Sequence, residues 1–220
     1  MSRTALALSA AAVLTAVASS QASVVIATFN GANPGDNFTI TTNGGTSTSQ
    51  VRAGLMNWTR TGGDAPGLAP TFWTFCIEVT QNVSNNNSYT YNVLPADQAP
   101  NTAPMGLQRA DLLSELFGRY ISTLNFANTT QVAAFQIAIW EIVYDTGVDL
   151  LNGDFQVTGG NASARTIAQN FLNSLDGTGA RVTVDALVSS NNQDQIVPTP
   201  GALALMGMGG LLASRRRRMA

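Results

Sequence analysis

The sequence has 220 residues, of which 45% are apolar and only 11% are charged. It contains no histidine, which excludes histidine-based nucleophilic triads and histidine metal sites. Acidic residues slightly outnumber basic ones, so nucleic acid is not expected as a partner, and the single cysteine, Cys76, excludes an intramolecular disulfide.

The N-terminal segment, residues 1–22, has the three parts of a secretory signal peptide. Arg3 supplies the positive charge, an apolar run follows from Ala5 to Val17, and Ser20-Gln21-Ala22 offers small residues for signal peptidase. The apolar run is shorter than the ~20 residues that a membrane span needs, which disfavours a permanent anchor. We therefore expect an exported protein that begins near residue 23.

Short alternating or β-branched runs predict strands in the next hundred residues. They lie at 23–29, 37–42, 50–60, 71–79 and 89–94, and Gly54 is a candidate bulge in the third run. Segments rich in Gly, Pro and Asn separate the runs, at 30–36, 43–49, 61–70, 82–88 and 95–104. The fourth strand carries Cys76 in an aromatic setting that is typical of a buried strand.

Helical spacing of apolar residues begins after the last of these loops. The first predicted helix runs from Met105 to Leu124, and the third from Asn161 to Leu175. The second follows the capping residue Asn128, is apolar on nearly every side, and ends near Asp145 or Gly147. A last strand at 180–187 closes an α+β domain over 23–190, in which a β-sandwich or barrel-like sheet receives a helical insertion of two to three helices.

The C-terminal region is expected to lie outside that domain. Residues 191–197 are predicted to be a polar spacer, and 198–220 hold a Pro-Thr-Pro motif, a short apolar run and an arginine cluster. These parts are Pro198, Thr199 and Pro200, then Ala202 to Ala213, then Arg215, Arg216, Arg217 and Arg218. Read physically, such a tail is a marginal membrane segment held by positive charge at its inner end.

The tail resembles the PEP-CTERM sorting signal, with Thr199 in place of the usual glutamate. The resemblance implies transient membrane contact, processing by an exosortase-type system in a Gram-negative envelope, and delivery to the cell surface or extracellular matrix. A plain C-terminal anchor is the alternative.

Two further motifs stand sixty residues apart: Phe75-Cys76-Ile77-Glu78 on the strand, and Phe135-Gln136-Ile137-Ala138-Ile139-Trp140 on the helix. Together they resemble the thioester domains of bacterial surface adhesins. The resemblance implies that the Cys76 thiolate displaces ammonia from the Gln136 carboxamide and leaves an internal thioester. Such a bond would attach the protein covalently to an amine or hydroxyl of a surface or matrix polymer. It would be used once, so the protein is expected not to be an enzyme and to need no cofactor or metal.

The neighbouring side chains suit that chemistry. Apolar residues would keep the bond dry: Phe75, Ile77, Phe135, Ile139 and Trp140. Glu78, two residues after Cys76, is expected on the same strand face, where it would relay a proton. Gln136 is expected near the start of its helix, where free backbone N–H groups would stabilise a developing oxyanion.

Two other interpretations remain open. In the first, the protein is a non-covalent structural protein of the exopolysaccharide matrix. Cys76 would then be an ordinary core thiol, and Gln136 would bond a backbone carbonyl. A secreted hydrolase would need a carboxylate pair such as Glu78 and Glu141, which nothing in the sequence marks as a site. The three aspartates Asp145, Asp149 and Asp154 fit no standard calcium loop and are interpreted as a solvated turn.

Overall fold

The computed structural model describes residues 23–100, 104–145 and 148–199. The predicted signal peptide and most of the predicted sorting tail, including Pro200 and Arg215 to Arg218, lie outside the described residues.

Seven strands and three α-helices make up the described part of the chain. The strands are β1 (Val24–Thr42), β2 (Ser47–Gly63), β3 (Thr71–Cys76), β4 (Ser88–Pro95), β5 (Gln156–Gly159), β6 (Val184–Val188) and β7 (Gln195–Pro198). The helices are α1 (Gly106–Tyr120), α2 (Thr129–Tyr144) and α3 (Ala162–Asn173), and a short 3-10 turn covers Ala96–Gln98.

Six of the strands close into an antiparallel barrel. Their order is β2-β3-β7-β6-β4-β1, and β1 pairs with β2 to complete the ring. The seventh strand, β5, adds to the far end of β1. All three α-helices fall between β4 and β6 in the chain, so the predicted α+β class, with a barrel-like sheet and a helical insertion, is confirmed.

The predicted turn at 30–36 is wrong, because β1 runs through it as one long strand. Pairing with β2 continues from Val25 to Thr42 with register shifts near Gly31 and Gly35. A Cβ on Gly35 or on Gly54 would lie 2.7–2.9 Å from the backbone of the other strand, so the two backbones touch there. Gly54 is therefore the point where the backbones of β1 and β2 approach closely, and it is not the predicted bulge. The extra residue of the nearby bulge lies on β1.

The predicted polar spacer, 191–197, is also wrong. Its last three residues begin β7, which pairs with β3 on one side and with β6 on the other. Ile196 and Val197 are buried in the barrel. The folded domain therefore extends to at least Pro198 and includes the first residue of the predicted sorting motif.

Helix α2 is the centre of the molecule. Its side chains from Val132 to Val143 are all buried, which explains why the segment is apolar on nearly every side. Asn128 caps it, accepting a hydrogen bond from the Gln131 N–H at 3.1 Å. Within the described residues, no helix is both long enough and apolar enough to cross a bilayer.

Candidate functional site

Cys76 is the last residue of β3, and neighbouring strands supply hydrogen-bond partners on only one side of its backbone. Successive residues of a strand point their N–H and C=O groups to opposite sides. Ile77 N–H donates to the Asp194 carbonyl on the β7 side at 3.0 Å, so the polar groups of Cys76 face β2. Pairing between β2 and β3 ends at Met56 and Thr74, two residues too early to reach them.

The carboxamide of Gln136 fills that place. Its Oε1 accepts the Cys76 N–H at 2.9 Å, and its Nε2 donates to the Cys76 carbonyl at 2.7 Å. Gln136 is fully buried, and Cys76 is only 2% exposed. The side-chain amide thus pairs with Cys76 as a neighbouring strand would, which satisfies two buried backbone groups at once.

The position of Gln136 in its helix differs from the expectation. It is the eighth residue of α2 (Thr129–Tyr144), whereas the free N–H groups of a helix belong to its first four residues. The N–H group that bonds the carboxamide oxygen is that of Cys76. A negative charge on this oxygen would therefore be stabilised by strand β3.

The thiol of Cys76 is held by the backbone that follows it. Its S–H donates to the Glu78 carbonyl at 2.6 Å, and the Glu78 N–H donates to Sγ at 3.3 Å. Burial raises the pKa of the Cys76 thiol to about 12. A free Cys76 is therefore protonated at neutral pH.

Glu78 does not occupy the predicted face of the strand, because β3 ends at Cys76. Its carboxylate accepts hydrogen bonds from Thr80 Oγ1 at 2.5 Å and from the Asp194 N–H at 3.2 Å. Its backbone, and not its carboxylate, bonds the sulfur. The expectation that Glu78 relays a proton from the same strand face is therefore not supported.

Aromatic rings close the apolar side of the site. The rings of Phe75 and Phe135 lie 4.9 Å apart, and Phe117 packs against Phe135 at 5.1 Å. All three side chains are fully buried. Ile77 and Ile139 belong to the same apolar cluster, so water is excluded from this side of the carboxamide.

A chain of buried polar groups supports the other side. Trp58 Nε1 donates to Thr74 Oγ1, which donates to Gln195 Oε1, both at 2.9 Å. Gln193 Nε2 donates to the Glu78 carbonyl at 3.0 Å, next to the sulfur. Sequence reasoning missed both glutamines, because the amide-rich stretch around them is also typical of a linker.

A cavity of about 910 Å³ reaches the site from outside, and Cys76 and Trp140 are among its lining residues. Its walls come from the irregular part of β1 at 29–33, from the hairpin end at 42–52 and from the loop at 79–85. Trp140 is 2% exposed, and its indole N–H lies against the Cys76 sulfur, where it lowers the pKa of the thiol by less than burial raises it. The buried sulfur therefore lies beside an accessible space and next to an indole N–H donor.

The aspartates after α2 organise a turn. Asp145 accepts the Phe155 N–H, and Asp149 accepts the Leu151 N–H and the Asn152 side chain. Within the described residues, no group of three or more His, Cys, Asp or Glu side chains is placed to hold a metal ion.

Comparison with protein-family models, with curated proteins and with solved structures finds no match to this chain. The resemblances to thioester domains and to PEP-CTERM tails therefore rest on the motifs quoted above.

Proposed function

We propose that this is an exported surface or matrix protein whose Cys76 and Gln136 form an internal thioester for covalent attachment. The observation that carries the proposal is the double hydrogen bond between the Gln136 carboxamide and the Cys76 backbone. It brings together two residues that are sixty positions apart, in a dry site beside a cavity. Those two residues are the ones that the paired motifs single out.

Formation of the bond balances without a cofactor. Sγ of Cys76 attacks the carboxamide carbon, the new C–S bond forms, and the C–N bond breaks. The thiol proton leaves with the amide nitrogen as ammonia. During attack, the Cys76 N–H stabilises the charge on Oε1. Holding both groups on a rigid strand and helix supplies the rate, because intramolecular pairs reach effective molarities of roughly 10⁵ M or more.

Attachment to the target polymer breaks the thioester. An amine or hydroxyl of the target polymer attacks the Gln136 carbonyl carbon, the C–S bond breaks, and the nucleophile's proton passes to sulfur. The chain has no lysine, so no side-chain ammonium of its own competes for the bond. The thioester is consumed, so each molecule reacts once and does not turn over.

The route to the surface rests on the two ends of the sequence. Signal peptidase would remove residues 1–22, and an exosortase-type system would process the part of the predicted tail that follows β7 after transient membrane contact, since Pro198 itself is paired in the barrel. The partner is then a surface or matrix polymer.

A non-covalent structural protein of the exopolysaccharide matrix is the second candidate, and one observation favours it. Both polar groups of the Gln136 carboxamide are already satisfied by Cys76, which is a complete structural role for a buried amide. In that case Cys76 is a core thiol.

Intact mass separates the two candidates. The exported protein is purified and weighed before and after treatment with methylamine. A mass short by one ammonia, which becomes a methylamine adduct on Gln136, supports the thioester. A full mass that methylamine does not change, with glutamine at position 136 by peptide sequencing, contradicts it. Glutamate at position 136 would mean a thioester that had already hydrolysed.

A further inference from the structure

The cavity above Cys76 has an unusual chemical character for a site that would react with amines. Most of its lining residues carry amide or hydroxyl groups, among them Asn30, Ser49, Thr80, Asn82, Asn85 and Gln193. Amides and hydroxyls both donate and accept hydrogen bonds, as sugar hydroxyls do. At about 910 Å³ the cavity lies in the range of about 300–1,000 Å³ that is typical of ligand sites.

The charge of the cavity is equally informative. Among the described lining residues, Arg52 is the only one with a charged side chain, and no carboxylate is present. Its Nε donates to the Ala32 carbonyl at 2.7 Å, and it forms no ion pair within the described part of the chain. A protonated lysine side chain would therefore meet a like charge and find no counter-ion among the described lining residues. The nearest carboxylates that act on Cys76, those of Glu78 and Asp194, already accept hydrogen bonds within the protein.

Trp140 adds a donor at the inner end. Its indole N–H is buried, faces the Cys76 sulfur, and belongs to a side chain that lines the cavity. Sulfur is a weak acceptor, so an oxygen atom of a ligand would bond this N–H more strongly than Cys76 does.

We propose that this cavity binds an uncharged glycan chain and presents one of its hydroxyls to the Gln136 carbonyl. The proposal rests on the thioester proposed above and names its substrate class. The hydroxyl oxygen forms a bond to the carbonyl carbon, the C–S bond breaks, and the hydroxyl proton passes to Sγ. The product is an ester between Gln136 and the glycan. The released Cys76 thiol keeps this proton at neutral pH, because burial raises its pKa to about 12.

Binding is tested apart from chemistry in the full chain with Cys76→Ser, which forms no thioester. Maltohexaose, cellohexaose and N-acetylated chitohexaose are titrated separately and followed by protein NMR, with Nα-acetyl-lysine amide as the cationic comparison. We expect at least one neutral oligosaccharide to shift resonances of the cavity residues, and the lysine compound to shift none. If no oligosaccharide binds, the proposal is overturned.

Chemistry is tested in the exported wild-type protein with the same compounds, followed by intact mass. We expect oligosaccharide adducts that alkaline hydroxylamine removes, as it does esters but not amides. Arg52→Glu should raise the rate of lysine adduct formation about fivefold, since it reverses the charge of the cavity. Arg181→Glu is the matched control, because Arg181 does not line the cavity, and it should change nothing.

Methylamine distinguishes the two possible failures. If methylamine gives no adduct and no ammonia is missing, the thioester itself is wrong. If methylamine reacts, but the lysine compound forms adducts and no neutral oligosaccharide does, the thioester stands and the glycan proposal is overturned.

Discussion

Gln136 takes the place of a missing strand beside Cys76. Its carboxamide accepts the Cys76 N–H at 2.9 Å and donates to the Cys76 carbonyl at 2.7 Å, where β2 has already separated from β3. The same two bonds have a structural and a chemical consequence. They complete the hydrogen bonding at the end of β3, and they fix the carboxamide against the residue that carries the thiol.

Gln136→Ala should therefore destabilise the protein more than Cys76→Ala. Both variants abolish a thioester, but only the first leaves two buried backbone groups of Cys76 without partners. Each such group costs about 1–3 kcal/mol, so the free energy of unfolding should differ between the variants by about 2–6 kcal/mol. Urea denaturation measures the difference. Equal destabilisation would show that the carboxamide does not support the end of β3.

The sequence predicted the parts of this site but not their arrangement. The spacing of Phe135, Ile139 and Ile142 shows the helix, and the residues around Cys76 show the strand. Which N–H meets the carboxamide oxygen depends on where β2 leaves β3, and this is a tertiary property that no local pattern encodes. The expectation of a helix N-terminus failed for a simpler reason, because Gln136 is the eighth residue of α2 and the free N–H groups belong to the first four.

The two larger errors in the fold have local causes. Strand β7 has four residues, and the polar residues before it hide Ile196 and Val197 from a pattern search. In β1, Gly31 has φ +126° and Gly35 touches Gly54, so the strand bends through a sequence that is typical of a turn.

The thiol of Cys76, once methylamine has released it, should react slowly in the folded protein. Its pKa of about 12 lies well above the usual value near 8.5, because the thiolate is buried. At pH 8 the thiolate fraction should be lower than in the denatured chain by a factor of about 10³. Iodoacetamide labelling with and without urea measures the ratio. Equal rates would mean that the sulfur is open to solvent.

Glu141 should make the protein less stable as the pH rises. It is fully buried, and burial, together with the negative charge of Asp145, raises its pKa to about 8. Below the unfolded pKa near 4.5 both states are protonated. Between 4.5 and about 8 the unfolded state loses its proton first, so the free energy of unfolding falls, by at most about 1.4 kcal/mol per pH unit.

Glu141→Gln should remove this dependence. The free energy of unfolding of the variant, relative to that of the wild type, should therefore increase from pH 5 to pH 8 and then level off. Urea denaturation at several pH values measures the two curves. Parallel curves across this range would mean that Glu141 is ionised in the folded protein.

Glu115 should show the opposite dependence. Burial alone would raise its pKa, but hydrogen bonds from Arg119 and from the N–H groups of Gly179 and Gly177 outweigh burial and lower it. The stability from these bonds is present above the unfolded pKa near 4.5 and is lost as the pH falls through the lower folded pKa. Glu115→Gln should therefore be less stable than wild type at pH 6, and the gap should narrow towards pH 3. If the difference in the free energy of unfolding widened as the pH fell, the lowered pKa of Glu115 would be contradicted.

A chain that ends at residue 190 should fail to form the barrel, whereas a chain that ends at residue 199 should fold. Among the described strands, β7 alone joins β3 to β6, and Gln195 of β7 pairs with Cys76 itself. Without β7 the edges of β3 and β6 are left unpaired, and the buried partners of Thr74 and Glu78 are lost. Circular dichroism and urea denaturation of the two chains measure folding, and a methylamine adduct measures the thioester. Folding and adduct formation by the shorter chain would place the domain boundary back at 190. Failure of the longer chain would mean that residues beyond 199 contribute to the fold.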